Sequence, residues 1–186
     1  MPTKDSNYRN LAKIFMDIVG NIQALKGQDI IDDIFKELKE HSSTDELFET
    51  KLKGPVYLTN TDTTRFLLCY YEDTFSTKEI HTNLWERVSN KFIWTIEHVF
   101  PEGENIPSEW VDMIAGGDKA LAQQYLEEYA HTIGNLTITG YNSNLSNMSF
   151  SKKKDRKRDD GNYIGYRNGL KLNEDIVSED TWTVDK

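Results

Sequence analysis

Cysteine is nearly absent. The 186 residues hold one, Cys69, so no internal disulfide can form, and without a C-x-x-C pair there is neither a disulfide scaffold nor a cysteine zinc site. A reducing, cytoplasmic compartment is the expected one. Long apolar runs are also missing: the longest, Phe66-Leu67-Leu68-Cys69-Tyr70-Tyr71, is far below the roughly 20 residues a membrane-spanning helix needs, so no membrane partner is expected. The opening Met1-Pro2-Thr3-Lys4-Asp5 lacks the apolar stretch of a signal peptide. Basic charge is in deficit, with 22 Lys and Arg against 31 Asp and Glu for a net charge of -9. As an average, that argues against a nucleic-acid partner. No internal repeat is visible, and the one biased segment is a basic run at 152–158.

Apolar residues make up 37% of the chain and aromatic ones 11%, enough for a core and too many for a disordered tail. The length fits one domain, or one core with a helical extension. Over 8–40, Leu11, Ile14, Phe15, Ile18 and Val19, then Ile30, Ile31, Ile34, Phe35 and Leu38, recur at spacings of three and four, which predicts two amphipathic helices with Gly20 and Gly27 at the joint. Residues 41–62 are rich in turn formers, with Ser42-Ser43-Thr44-Asp45 as an N-cap and Gly54-Pro55 as a break. Asp62 to Tyr71 reads as a helix with Phe66, Leu67 and Tyr70 inward, a buried strand being the alternative. A loop with a short helix near Trp85 is expected over 73–90.

The second half reads differently. Residues 91–101 alternate apolar and polar side chains and stop at Pro101, the pattern of a strand entering a turn. Residues 108–130 predict one or two helices around Gly116-Gly117. Residues 133–140 predict a second strand, and 142–157 a helix with Leu145 and Phe150 near one face and Ser143 as its cap. Strand, insertion, strand and helix make a ββα unit. On it cluster Glu97-His98, Asn135, and Asn142, Asn144 and Asn147. A carboxylate, an imidazole and amide oxygens suit a hard cation such as Mg2+, which takes few protein ligands. A histidine beside that ion can take the proton of an attacking water.

The strings Ile96-Glu97-His98-Val99-Phe100-Pro101, His131 through Asn147, Phe150-Ser151-Lys152-Lys153-Lys154, Gly169 through Ile176 and Trp182-Thr183 resemble the HNH nuclease domain at the C-terminus of GmrSD-type modification-dependent restriction enzymes. The resemblance covers roughly residues 60–186. It implies an α+β fold, a ββα-metal (HNH, His-Me finger) core at about 91–158 embedded in α-helices, within a nuclease domain over 61–186. Residues 1–60 then form a helical support or junction. The implied activity is hydrolysis of DNA phosphodiesters with a divalent metal, Mg2+ or Mn2+.

By the same resemblance His98 is the general base, Asn135 ties the loop between the strands and holds His98, and Glu97 is an acidic metal ligand. The third metal position falls to Asn142 first and Asn147 second, although the spacing of better-known HNH nucleases favours Asn144. The family usually follows its proline with Gln where this chain has Glu102, which is given no role. His131, just before the second strand, is expected to be a solvent-facing or core histidine, a place facing the site being the alternative, and Trp94 and Trp110 are expected to be core.

The run Lys152, Lys153, Lys154, Arg156, Lys157 and Arg158 follows the metal-site helix and is expected to contact phosphates. Residues 151–171 carry eight basic and three acidic side chains, a local +5, which leaves -14 on the rest. The overall acidity is thus an average over two unlike regions. The implied partners are double-stranded DNA, modified or foreign, an upstream ParB-like nucleotide-hydrolysing domain, and a second copy of the chain. Trp182 to Lys186 looks like the start of a helix that the family continues, so an excised domain is expected. Two rival readings are a DNA-binding or regulatory module that has lost catalysis and a general nuclease acting on RNA.

Overall fold

The computed structural model describes residues 11–79 and 81–185; residues 8–10 of the expected first helix and Lys186 of the last string lie outside them. The chain divides into two compact units between residues 53 and 54. In the first, the three-and-four spacing gives α1 (Leu11–Asn21) and α2 (Gln28–His41), joined through a 3-10 turn at Ile22–Ala24 and Gly27 at φ 58°. Residues 41–62, expected as turns, instead hold α3 (Asp45–Lys53) and, in the second unit, α4 (Val56–Thr59). The local charges explain α3: Asp45 and Glu46 sit in its first turn and Lys51 and Lys53 in its last, complementing the helix dipole. Thr44 Oγ1 accepts from Leu47 N at 3.3 Å, within the stretch read as an N-cap.

In the second unit α5 (Thr61–Phe75) starts at Asn60, whose side chain accepts from Thr63 N. Its inward face is not the predicted one: Phe66 and Tyr70 are exposed, and Thr64, Arg65, Leu68, Cys69 and Glu72 are buried. Two charged side chains enter the interior because backbone groups meet them there. Arg65 donates to Trp94 O at 2.7 Å and to Leu84 O, and Glu72 accepts the backbone N–H groups of Lys171 and Leu172. Hydrophobic periodicity does not see such partners.

The expected strand over 91–101 splits. β1 (Arg87–Val88) and β2 (Lys91–Phe92) form a small hairpin through Ser89 and Asn90, both at positive φ, and β3 (Thr95–His98) leaves it to pair antiparallel with β4 (Leu136–Thr139). The register sets Glu97 opposite Thr137 and His98 opposite Leu136. Between β3 and β4 lie α6 (Ser108–Ala115) and α7 (Lys119–Tyr129), separated by Gly116 in the left-handed conformation, with Asp118 capping the second. Residues 133–135 form a 3-10 turn, so β4 starts later than predicted. The helix expected over 142–157 breaks at Ser146, φ 39°, into α8 (Asn142–Leu145) and α9 (Phe150–Asp155), and Ser143 does not cap it. A 3-10 turn at Lys171–Asn173 leads into α10 (Glu174–Ser178), while Trp182 to Asp185 is non-helical.

The result is an α+β arrangement in which helices surround small antiparallel sheets. Its core gathers Val99, Phe100, Trp110, Leu126, Leu145, Phe150 and Tyr166 immediately behind the end of β3. No helix among the described residues is long and apolar enough to cross a membrane.

Candidate functional site

Glu97 and His98 are the last two residues of β3, and both are buried. Beyond them the chain is pinned by Asn135. Its backbone carbonyl accepts from Val99 N, its Oδ1 from Phe100 N at 2.8 Å, and its Nδ2 donates to Phe100 O at 3.0 Å and Ala130 O at 2.9 Å. Trp182 Nε1 also donates to Oδ1, at 3.3 Å. One amide therefore joins the segment after β3, the end of α7 and the C-terminal segment.

The end of β3 opens on a cleft walled by Tyr57, Glu97, His98, Glu102, Asn142, Ser146, Asn147 and Lys153. Of the residues expected from sequence, Glu97, His98, Asn142 and Asn147 meet here. Asn135 lies under the adjacent loop, and Asn144 does not line the cleft. Asn142 is anchored through Nδ2, which donates to Ile96 O at 2.7 Å. Asn147 is exposed, with its amide beside Gly103.

The His98 ring has neighbours to which the sequence assigns no role, one of them the histidine whose place facing the site is the less expected alternative. Nε2 lies 3.1 Å from His131 Nδ1 and 3.5 Å from Glu102 Oε2, and those two atoms are 3.9 Å apart. This His/Glu/His group could hold a metal ion. His131 is therefore half-buried against the site, not a remote solvent or core histidine. Tyr57 packs edge-on to His98 at 4.7 Å and stacks on His131 at 5.7 Å. Position gave weak signals: Glu102 is four residues after His98, and His131 precedes the Ile133-Gly134-Asn135 turn. For Tyr57, in a stretch read as turns, there was none. Burial, and then the nearby His131 and Lys153 charges, push His98 down to about 4, so its ring is neutral near pH 7.

The basic run divides. Lys152, Arg156, Lys157 and Arg158 are exposed, as phosphate contacts require. Lys153 and Lys154 depart from that expectation, because α9 turns them inward. Lys153 Nζ donates to Glu97 Oε1 at 2.6 Å, His98 O at 2.7 Å and Val99 O at 3.2 Å, and Lys154 Nζ to Glu179 O at 2.6 Å. Burial raises the Glu97 carboxyl above its ordinary range and lowers the Lys153 ammonium below its own, each opposed by the attraction between the two. The backbone of Gly165 presses on this helix so closely that an added Cβ would lie 2.1 Å from Lys153 O.

Compared with known families, residues 42–186 match the one described as GmrSD restriction endonucleases, C-terminal domain. No curated protein and no solved structure matches the chain.

Proposed function

The chain belongs to the GmrSD restriction endonuclease C-terminal domain family, and from that membership we propose that it is a metal-dependent HNH endonuclease domain hydrolysing DNA phosphodiesters. The observation that carries this reading is the end of β3, where buried His98 opens beside Glu97, Asn142 and Asn147 onto one cleft. In this reading residues 91–158 form the ββα-metal core of a nuclease domain over 61–186, with 1–60 as a helical support.

His98 accepts the proton of the attacking water. The neutral ring offers a lone pair to that proton, and Tyr57 packs edge-on against it. Asn135 is a positioning residue that fixes the chain on the far side of His98 through both backbone groups of Phe100. Glu97, Asn142 and Asn147 supply the oxygen-rich wall a hard cation prefers, and these three would hold Mg2+ or Mn2+. When bound, that ion would supply positive charge to the developing phosphate oxygens. Lys153, bonded to Glu97 Oε1, fixes the direction of the carboxylate. The exposed Lys152, Arg156, Lys157 and Arg158 would hold the backbone of double-stranded DNA, modified or foreign, without reading sequence. An upstream ParB-like domain would supply recognition, and a second copy the cut in the other strand.

The test is plasmid cleavage with Mg2+ or Mn2+ by the wild type and by His98→Ala. Loss of at least about 100-fold is expected, the range in which a general base contributes. Equal cleavage by the variant would sink the assignment of His98. Single-stranded DNA, duplex DNA and RNA compared as substrates distinguish a DNA enzyme from a general nuclease. A module without catalysis would bind DNA and cleave none of them.

A further inference from the structure

We propose that His98, Glu102 and His131 form a binding site for a transition-metal ion of the Zn2+ class, separate from the oxygen-donor wall of Glu97, Asn142 and Asn147. Three donor atoms already converge: His98 Nε2 to His131 Nδ1 is 3.1 Å, His98 Nε2 to Glu102 Oε2 is 3.5 Å, and His131 Nδ1 to Glu102 Oε2 is 3.9 Å. Ligands bonded at about 2.0–2.1 Å to one tetrahedral ion stand roughly 3.3 Å from each other. The observed separations bracket that spacing, so an ion needs only small side-chain shifts.

The donor chemistry selects the ion. Two imidazoles and one carboxylate are the protein ligands of zinc sites that keep an open fourth position, whereas Mg2+ prefers oxygen donors and keeps its waters. Two of the three donors have little freedom. His98 is buried at the end of β3, Tyr57 packs on both imidazoles, and the Tyr57 N–H donates to His131 O at 3.2 Å. Glu102 is exposed and can swing onto an entering ion.

The site shares one atom with the proposed chemistry. A metal on His98 Nε2 takes the lone pair that would accept the proton of water, so occupancy and hydrolysis exclude each other. That consequence alone rests on the nuclease reading; the binding site stands without it.

Calorimetric titration of the metal-free chain with ZnCl2 tests the proposal, together with 15N spectra of the histidine rings. One Zn2+ per chain is expected, with the His98 and His131 ring nitrogens shifting in step with occupancy and Mg2+ at about 10 mM failing to displace it, since Mg2+ disfavours nitrogen donors. Glu102→Gln and His131→Asn should each weaken zinc binding by about tenfold or more. Asn147→Ala, an exposed change within the oxygen wall, should bind zinc like the wild type. Thermal melts of the metal-free variants verify that each is folded, and Glu102→Gln changes an exposed side chain. Wild-type zinc affinity in both Glu102→Gln and His131→Asn would overturn the site, as would its loss in Asn147→Ala. If zinc binds as expected but the zinc-free wild type cleaves no DNA with Mg2+ or Mn2+, the nuclease reading fails and the site survives.

Discussion

Lys153 shows how a single side chain can be mistaken for surface chemistry. In the sequence it is one of three consecutive lysines; in the structure it is almost fully buried and bonded to Glu97 and to two carbonyls of the β3 end. Removing one partner of a buried ion pair leaves the other desolvated, so Lys153→Met should cost about 3–5 kcal/mol in urea unfolding. Pairing it with Glu97→Gln should recover a large part of that loss. If Lys153→Met is as stable as the wild type, the burial of the pair is wrong. His98 gives a pH prediction. Its folded value near 4 lies below the ordinary 6.5, so between these the unfolded chain binds more protons and stability falls as the pH falls. The loss approaches about 1.4 kcal/mol per pH unit for this one group. Glu97 and Lys153 titrate too, so the comparison that isolates His98 is with His98→Gln: urea midpoints at pH 7, 6 and 5 should fall less steeply in the variant.

At the scale of the element, the legible parts were those with strong local patterns. The alternation ending at Pro101 located β3, the spacing over 108–130 located α6 and α7, and Glu97, His98, Asn142 and Asn147, expected together, line one cleft. What was not legible depended on partners distant in sequence. Arg65 faces inward because Trp94 and Leu84 offer carbonyls, and α9 buries Lys153 because Glu97 awaits it. Glu102 and His131 join His98 only after a turn whose shape is set by Asn135. The close approach at Gly165 is a further nonlocal constraint. Gly165→Ala would drive a Cβ into Lys153 O, so the segment around residue 165 and α9 must separate. A destabilisation of about 1–3 kcal/mol is expected, of the kind seen on overpacking. Asn60→Ala removes the acceptor for Thr63 N at the start of α5 and should cost about 1 kcal/mol. Both are read from chemical denaturation.

For the whole molecule, charge is the useful quantity. The local +5 of residues 151–171 is smaller at the surface than in the sequence, since Lys153 and Lys154 are inside and Arg158 pairs with Asp160. An acidic remainder repels DNA elsewhere, so binding is expected to be weak and strongly reduced by salt. Neutralising Lys152, Arg156, Lys157 and Arg158 together should make the log-log salt dependence shallower, by up to about 0.9 for each phosphate that no longer meets a cation. An unchanged slope would place the DNA on another face.

The pairing of Thr95 with Thr139 and of His98 with Leu136 closes a long excursion of the chain, and the Asn135 amide is completed by Trp182, near the end of the described sequence. Such closure costs entropy before any contact repays it, so these pairings form slowly relative to local helices. During synthesis, β3 leaves the ribosome well before Asn135 and its partner strand β4, and Trp182, which donates to the Asn135 amide, comes later still. A nascent chain therefore carries Glu97 and His98 without the frame that aligns them. The surroundings of Glu97 and His98 are therefore complete only after β4 has paired and the C-terminal segment has reached Asn135.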